Sequence, residues 1–297
     1  MLVKMNVLNG PHMTRTPAHL LVLAATPALL ASLLLMHFAG ASRGLLLQQA
    51  VVALVGAACL QLAASPRQVK AIQSSGHWLL FALAAILLAT LAFGESTSPH
   101  RWVVLGSVRL YVAAIVLPAF LLIWHQLNKS RSARGPTYTI AAVLVGLALL
   151  TQPDAAQLSA FSLAALPILG VSTLARIYKI IVAAALLVAA AFCWGQPDPL
   201  APVRYVEGVF FLASEISVLA LIFAVLAAAL PVVALAWLAR SWRSVGLMSV
   251  AIYYATLYGL SPLQITPVPL LGFGASPILG YFLVSTLALR VHLASKT

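Results

Sequence analysis

Acidic residues are scarce in this sequence, and charged residues of either sign are few. Only 5 of the 297 residues are Asp or Glu, and charged residues make up 7% of the chain, against about a quarter in an ordinary soluble domain. So little charge cannot cover a globular surface, so the composition excludes a soluble enzyme and a disordered protein. The two cysteines, Cys59 and Cys193, lie in separate apolar runs. This favours small buried side chains over a disulfide or a metal site.

Apolar residues are abundant instead, at 63% of the chain with a mean hydropathy of +1.05. A membrane helix needs about 20 consecutive apolar residues, and the sequence predicts an all-α polytopic membrane protein with about ten such helices. The segments are Leu20–Phe38, Leu45–Ala64, His77–Phe93, Val108–Trp124, Tyr138–Thr151, Ala156–Leu174, Ile177–Trp194, Ile216–Leu238, Val245–Tyr258 and Ser276–Val291. The fifth and ninth are too short to cross a bilayer alone, so we expect them inside the bundle or beside a re-entrant loop.

The basic residues orient these segments. With both termini in the cytoplasm, most of the 17 Lys and Arg residues fall in cytoplasmic loops, as the positive-inside rule requires. This explains the net charge of +12 without nucleic-acid binding. We expect a cytoplasmic segment 1–18, one membrane domain 19–292 with its largest outer loop at about 195–215, and a cytoplasmic tail 293–297. The bases on the outer side are Arg43, Arg101, Arg109 and Arg204.

All the acids fall on or near the predicted outer side, although acids contribute little to membrane orientation. Their placement therefore indicates a polar site that faces outward. They are Glu95, Asp154, Asp198, Glu207 and Glu215.

Four stretches on the outer side are more specific than hydropathy. They are Arg-Trp-Val-Val-Leu-Gly at Arg101–Gly106, Gln-Pro-Asp at Gln152–Asp154, Asp-Pro-Leu at Asp198–Leu200 followed by Tyr205, and the segment Pro262–Ser276. The last carries no charge and many prolines and glycines. Its non-helical backbone must be buried in protein or line a wet cavity, because lipid cannot satisfy its polar groups.

These four motifs, in this order and at these spans, resemble the SEDS family (FtsW, RodA and SpoVE), which acts in shape, elongation, division and sporulation. The chain is a divergent and shortened version of that pattern. The resemblance implies a ten-helix bundle in the bacterial cytoplasmic membrane, with both termini on the cytoplasmic side. It implies a glycosyltransferase that polymerises lipid II into peptidoglycan during cell division or cell-shape control. It also implies a partner, a single-span penicillin-binding transpeptidase.

The departures from the family pattern concern the chemistry. The family's catalytic aspartate aligns with Ala220, and a glutamate and a lysine of the fourth span align with Ala114 and Leu117. Glycosyl transfer needs a base for the acceptor hydroxyl, which alanine cannot supply. Either another acid has taken this role, in an active polymerase, or the protein is a degenerate pseudoenzyme. The pseudoenzyme would bind a lipid-linked precursor or scaffold an envelope complex.

The candidate site residues follow from both lines of reasoning. Asp154 and Glu215 are the candidate catalytic acids, with capping of a helix and an interfacial position as their alternatives. Arg101 can bind a diphosphate through two parallel hydrogen bonds, and Trp102 can stack on a sugar ring. The alternative is that both residues only anchor the chain at the membrane–water interface. We expect no cofactor and name no metal-ligating residue. A divalent cation at the site is left as an alternative. The candidates for substrate contact are Arg101, Trp102, Asp198, Pro267, Pro269, Gly274 and Ser276.

Overall fold

The computed structural model describes residues 12–63, 71–93, 99–106, 108–129, 135–197 and 200–295. Within these ranges the chain forms eleven α-helices and one two-stranded sheet. The elements are α1 His12–Phe38, α2 Arg43–Ala63, α3 Ala71–Phe93, β1 Trp102–Leu105, β2 Val108–Tyr111, α4 Val112–Lys129, α5 Gly135–Thr151, α6 Ala155–Val171, α7 Arg176–Trp194, α8 Val209–Ile216, α9 Val218–Ser241, α10 Val245–Leu260 and α11 Ala275–Ala294.

The apolar runs account for the helices. Seven of the described helices are long and apolar enough to cross a membrane, and α5 and α6 are shorter apolar helices. The predicted all-α polytopic fold is therefore confirmed, and each of the ten predicted segments overlaps a helix of its own. How many of them cross the bilayer stays a prediction. Helix α1 begins inside the predicted segment 1–18, and residues 1–11 and 296–297 lie outside the described residues.

Helix α4 lies at the centre of the bundle. Its neighbours are α3, α10 and α11, and 78% of it is buried, against 17% of α2 and of α7. The outer helices therefore present apolar side chains to the surroundings, as a membrane protein requires, because lipid is as apolar as the core. The close approach of α11 to α4 depends on Gly280, where a Cβ would overlap the carbonyl oxygen of Ala114.

The predicted start of the fourth span at Val108 is wrong. Residues Val108–Tyr111 form β2, which pairs antiparallel with β1, and the helix begins at Val112. Both strands are rich in valine and aromatic residues, which favour β-structure. Gly106 between them has a φ of 63°, which suits a two-residue hairpin loop.

The predicted eighth span, Ile216–Leu238, corresponds to α9, and a short helix precedes it. The chain forms the short helix α8 and then breaks at Ser217, whose backbone is extended. The Ser217 hydroxyl accepts a hydrogen bond from the backbone N–H of Ala220 at 3.0 Å and thereby caps α9. The predicted outer loop at about 195–215 therefore includes most of α8.

Candidate functional site

The first two motifs are locked together by a buried arginine. Arg101 Nε donates to the carbonyl oxygen of Gln152 at 3.0 Å, and a terminal nitrogen donates to the carbonyl of Pro153 at 2.6 Å. The same Nε lies 3.8 Å from Asp154 Oδ2. Arg101 is 4% exposed and Asp154 is 1% exposed. The guanidinium therefore holds the start of the hairpin to the α5–α6 turn.

Asp154 joins three elements through its carboxylate. One oxygen accepts the backbone N–H of Gln157 at 3.2 Å and caps α6, so the capping role expected from sequence is confirmed. The other oxygen accepts a short hydrogen bond from the Tyr111 hydroxyl. Tyr111 lies in β2, outside the membrane-spanning helices. Burial, and then the Asp154 carboxylate, hold the pKa of its phenol well above the ordinary value, so the phenol stays a donor.

The network continues to the fourth motif. The backbone N–H of Tyr111 donates to Ser276 Oγ at 2.8 Å, at the start of α11. On the opposite side, Gln152 Nε2 donates to Thr90 Oγ1 of α3 at 2.6 Å. Motif residues from distant parts of the sequence thus form one buried polar cluster. We call Arg101, Tyr111, Gln152, Asp154 and Ser276 the buried latch.

A cavity of about 510 Å³ opens beside the buried latch. Its walls are the hairpin, the start of α2, the loop 200–207 and the segment between α10 and α11. The described residues that line it are Leu45, Gln48, Pro99, His100, Trp102, Arg109, Tyr111, Leu200, Ala201, Val203, Val206, Glu207, Pro267, Phe273, Gly274, Ala275, Ser276 and Pro277. We call this space the outer cavity, because it lies on the side predicted to face outward.

One face of the hairpin supplies the aromatic and basic part of this wall. Trp102 pairs with Tyr111, and their rings stack at a centroid distance of 5.0 Å. Arg109 is two residues before Tyr111, so its side chain projects from the same face, and it is exposed. From the sequence, Arg109 was only one of the four bases on the predicted outer side. The signal that would have found it is the period-two pattern on either side of Gly106.

The segment between α10 and α11 lies where sequence placed it, in a cavity wall with its backbone bonded to protein. Gln49 binds it twice, donating to the carbonyl of Gly272 and accepting the N–H of Gly274, each at 3.1 Å. The N–H of Phe273 donates to the carbonyl of Tyr205 at 2.7 Å. Gly272 is required here, because a Cβ would overlap a carbonyl oxygen of the loop 200–207.

The proline and glycine candidates for substrate contact divide between two positions. Pro267, Gly274 and Ser276 line the outer cavity. Pro269 does not: it is buried, and its carbonyl accepts the Tyr258 hydroxyl at 2.7 Å. Its part in the site is therefore to fix the wall.

The candidate acids lie at different distances from this space. Asp154 is covered by Arg101 and Tyr111 and does not line the outer cavity. Glu215 is exposed on α8, where it pairs with Arg204, and it does not line the cavity either. Asp198 lies outside the described residues. The catalytic role of Asp154 and Glu215 and the substrate contact of Asp198 stay predictions.

Glu207 is the one carboxylate among the described residues that line the outer cavity. It is half-buried, and Oε2 accepts the backbone N–H of Val203 at 2.8 Å. The sequence places Glu207 only in the predicted outer loop, because nothing in the sequence shows that this loop folds back over the hairpin. Over the described residues, no group of three or more His, Cys, Asp or Glu side chains could hold a metal ion.

No model of a known protein family matches this sequence, and no curated protein matches it. Solved structures do. The rod shape determining protein RodA of Thermus thermophilus is 19% identical, with a TM-score of 0.68 over 92% of this chain and 95% of that chain. An aspartate-to-alanine variant of the same RodA gives the same TM-score and identity, with 96% of its chain covered.

A third similar chain comes from the structure of a peptidoglycan synthase complex, described under the words "structural coordination of polymerization and crosslinking". It is 18% identical, with a TM-score of 0.67 over 92% of this chain and 96% of its own. Identities this low carry the fold and leave the activity open. This multi-pass membrane protein has the RodA fold, which is the SEDS fold that the four motifs predicted.

Proposed function

We propose that this chain acts in peptidoglycan synthesis in the bacterial cytoplasmic membrane and binds lipid II in the outer cavity. The observation that carries the proposal is the cavity itself, in a chain with the RodA fold. Its walls come from three of the four motif regions: the hairpin, the loop after α7 and the segment before α11.

The chemistry of the walls suits a ligand with charged, sugar and apolar parts. Arg109 offers a guanidinium that can bind a diphosphate in a fork. Trp102 offers an aromatic surface to a sugar ring, and much of the remaining lining is apolar. Arg101 is bonded to backbone carbonyls in the buried latch, so in this proposal Arg109 contacts phosphate and Arg101 shapes the wall.

The positions of the acids favour the pseudoenzyme over the polymerase. Ala220 replaces the expected base, Asp154 is enclosed in the buried latch, and Glu215 is paired outside the cavity. A polymerase remains the second candidate, because Glu207 lies in the cavity wall and Asp198 belongs to the same loop. In that case one of these two carboxylates is the base.

The process and the partner follow from the same likeness. The peptidoglycan synthase complex joins polymerization with crosslinking, as its description says. We propose that a single-span penicillin-binding transpeptidase pairs with this protein as well, in cell division or in cell-shape control. Co-purification of such a transpeptidase with the tagged chain is the expected result.

The test is lipid II binding and polymerisation by the purified full-length protein. The wild type binds lipid II, and Arg109→Gln weakens binding about tenfold, as expected for a lost charge-assisted contact worth about 1.5 kcal/mol. The matched control is Arg204→Gln, which removes the same charge from an exposed outer position that does not line the cavity. Equal binding by wild type and Arg109→Gln would refute the assignment of the cavity.

The polymerisation arm separates the two candidates. A pseudoenzyme makes no glycan ladder, with or without a transpeptidase. If ladders form, Glu207→Gln abolishes them in the case that Glu207 is the base, while Glu215→Gln leaves them unchanged. Ladders that survive the loss of Glu207 point to Asp198.

A further inference from the structure

A second cavity lies at the opposite end of the bundle. Helices α4 and α11 both begin at the outer cavity and end here, so the two spaces are separated by the length of these helices. The second cavity measures about 440 Å³ and is enclosed by the end of α4, the α9–α10 turn and the end of α11. We call it the inner cavity, since this end is predicted to face the cytoplasm.

The inner cavity is basic. Lys129, Arg290 and His292 line it, with Gln126, Trp242 and Ser244 as further polar or aromatic lining residues. None of its described lining residues is an acid. The charged side chains of the described lining are thus all basic, and a cleft lined by one sign of charge concentrates ions of the other sign.

Two further features favour an anion in the inner cavity. The N-terminus of α10 forms part of its wall: Ser244 caps this helix by accepting the N–H of Leu247 at 3.3 Å. The N-terminal end of a helix carries partial positive charge. Trp242 stacks on the ring of His292, with a centroid distance of 4.1 Å and an angle of 8°. This contact holds the imidazole in the wall.

We infer that the inner cavity binds a phosphate group, carried by the headgroup of an anionic phospholipid or by a free phosphate compound. Basic pockets between membrane helices on the cytoplasmic side are suited to such headgroups. Tryptophan at this level is typical of the membrane–water interface. The site is independent of the lipid II proposal, because it shares no lining residue with the outer cavity.

The basic residues of the inner cavity have a simpler explanation, which the experiment must distinguish from ligand binding. Lys129 and His292 stand in the last turns of α4 and α11, where basic residues offset the negative end of the helix dipole. That role contributes stability and needs no ligand. Arg240 provides the matched control: it stands in the last turn of α9, is exposed, and does not line the inner cavity.

The experiment measures lipid retention by the full-length protein in phosphatidylcholine nanodiscs titrated with phosphatidylglycerol. One arm counts bound phosphatidylglycerol by native mass spectrometry, and a second measures binding of inorganic phosphate alone. We expect Lys129→Gln and Arg290→Gln each to weaken phosphatidylglycerol binding about fivefold, the factor for one basic residue near an anionic surface. Arg240→Gln leaves it unchanged, and Arg290→Lys restores it.

The arms distinguish the source of the phosphate. Retention of phosphatidylglycerol without affinity for inorganic phosphate identifies a lipid headgroup, and binding of inorganic phosphate identifies a soluble phosphate compound. Binding of neither, in protein whose thermal unfolding matches the wild type, would overturn the inference. So would an equal loss in Arg240→Gln and Arg290→Gln, because charge alone would then explain the binding.

Discussion

At the scale of single residues, the motif side chains that most resemble catalytic or binding groups stabilise the fold. Arg101 and Asp154 are almost fully buried and form an ion pair with each other. Arg101 also donates to the backbone carbonyl of Gln152, in the same turn as Asp154. A Gln-Pro-Asp sequence before an apolar run predicts a helix cap correctly, because capping is local. That Arg101 is enclosed while Arg109 faces a cavity depends on how the hairpin docks, which no local pattern states.

Loss of Asp154 tests the buried latch. In Asp154→Ala, the buried Arg101 loses its countercharge and α6 loses its cap. Removal of one partner from a buried ion pair costs about 3–5 kcal/mol. We expect a strongly lowered unfolding temperature in detergent, with Glu215→Ala as the control. Glu215 sits in an exposed pair, so its loss costs less than about 1 kcal/mol. Equal unfolding temperatures for the two variants would contradict the latch.

Tyr111 makes the stability of the latch depend on pH. Its pKa in the folded chain is raised above the unfolded value of about 10. The folded state therefore holds this proton more tightly. The contribution to stability is complete below about pH 10 and is lost as the pH rises toward the folded pKa.

The variant Tyr111→Phe removes both the titration and the hydrogen bond to Asp154. At pH 8 we expect it to be less stable than the wild type by about 1.5–3 kcal/mol, the value for a hydrogen bond to a charged group. Between pH 9 and pH 11 the wild type should lose more stability than Tyr111→Phe, so the difference in unfolding free energy between the two proteins narrows. Unfolding followed at pH 9 and at pH 11 checks this, and a constant difference between the two proteins would contradict a raised pKa of Tyr111 in the folded chain.

At the scale of elements, the sequence predicts what depends on composition over a long window. The ten apolar segments each correspond to a helix because about 20 apolar residues leave few alternatives. The hairpin at Trp102–Tyr111 was missed because a short apolar run fits a strand and a buried helix alike. The short helix α8 was assigned to the outer loop, because eight residues are too few to cross a membrane. The glycine between β1 and β2 was the available signal.

Packing between elements is the second thing that the sequence conceals. Gly280 looks like any glycine of an apolar helix, yet a Cβ there would overlap the carbonyl oxygen of Ala114 on α4. Small residues at such positions allow membrane helices to approach closely.

We therefore expect Gly280→Ala to force α11 away from α4 and to destabilise the protein by about 1–3 kcal/mol, the usual cost of overpacking. Gly259→Ala is the matched control. Gly259 is also helical, and a Cβ there meets nothing within 4 Å. Chemical or thermal unfolding in the same detergent compares the two variants. A loss in Gly259→Ala as large as in Gly280→Ala would mean that close packing is not the cause.

At the scale of the whole molecule, charge divides the two ends. Glu207 and Arg109 line the outer cavity, whereas the charged residues in the described lining of the inner cavity are all basic. The positive-inside rule reads this difference from sequence before any fold is known. Sequence alone could not show that each end contains a cavity, because the walls combine residues from distant segments such as Leu45 and Ser276.

Sidedness follows from the order of helices between the two cavities. Ala201 lines the outer cavity, and Ser295 follows α11 and lines the inner one. Between them lie the short helix α8 and then α9, α10 and α11. The sequence predicts that the last three cross the membrane, and an odd number of crossings would place these residues on opposite sides. We expect a membrane-impermeant maleimide added outside intact cells to label Ala201→Cys and to leave Ser295→Cys unlabelled until the membrane is broken. The background for both carries Cys59→Ala and Cys193→Ala, since these are the two native cysteines. Labelling of Ser295→Cys from outside would mean that one of the three helices does not cross. The inner cavity would then not lie at the cytoplasmic surface, and its basic residues could not reach the anionic lipids of that surface.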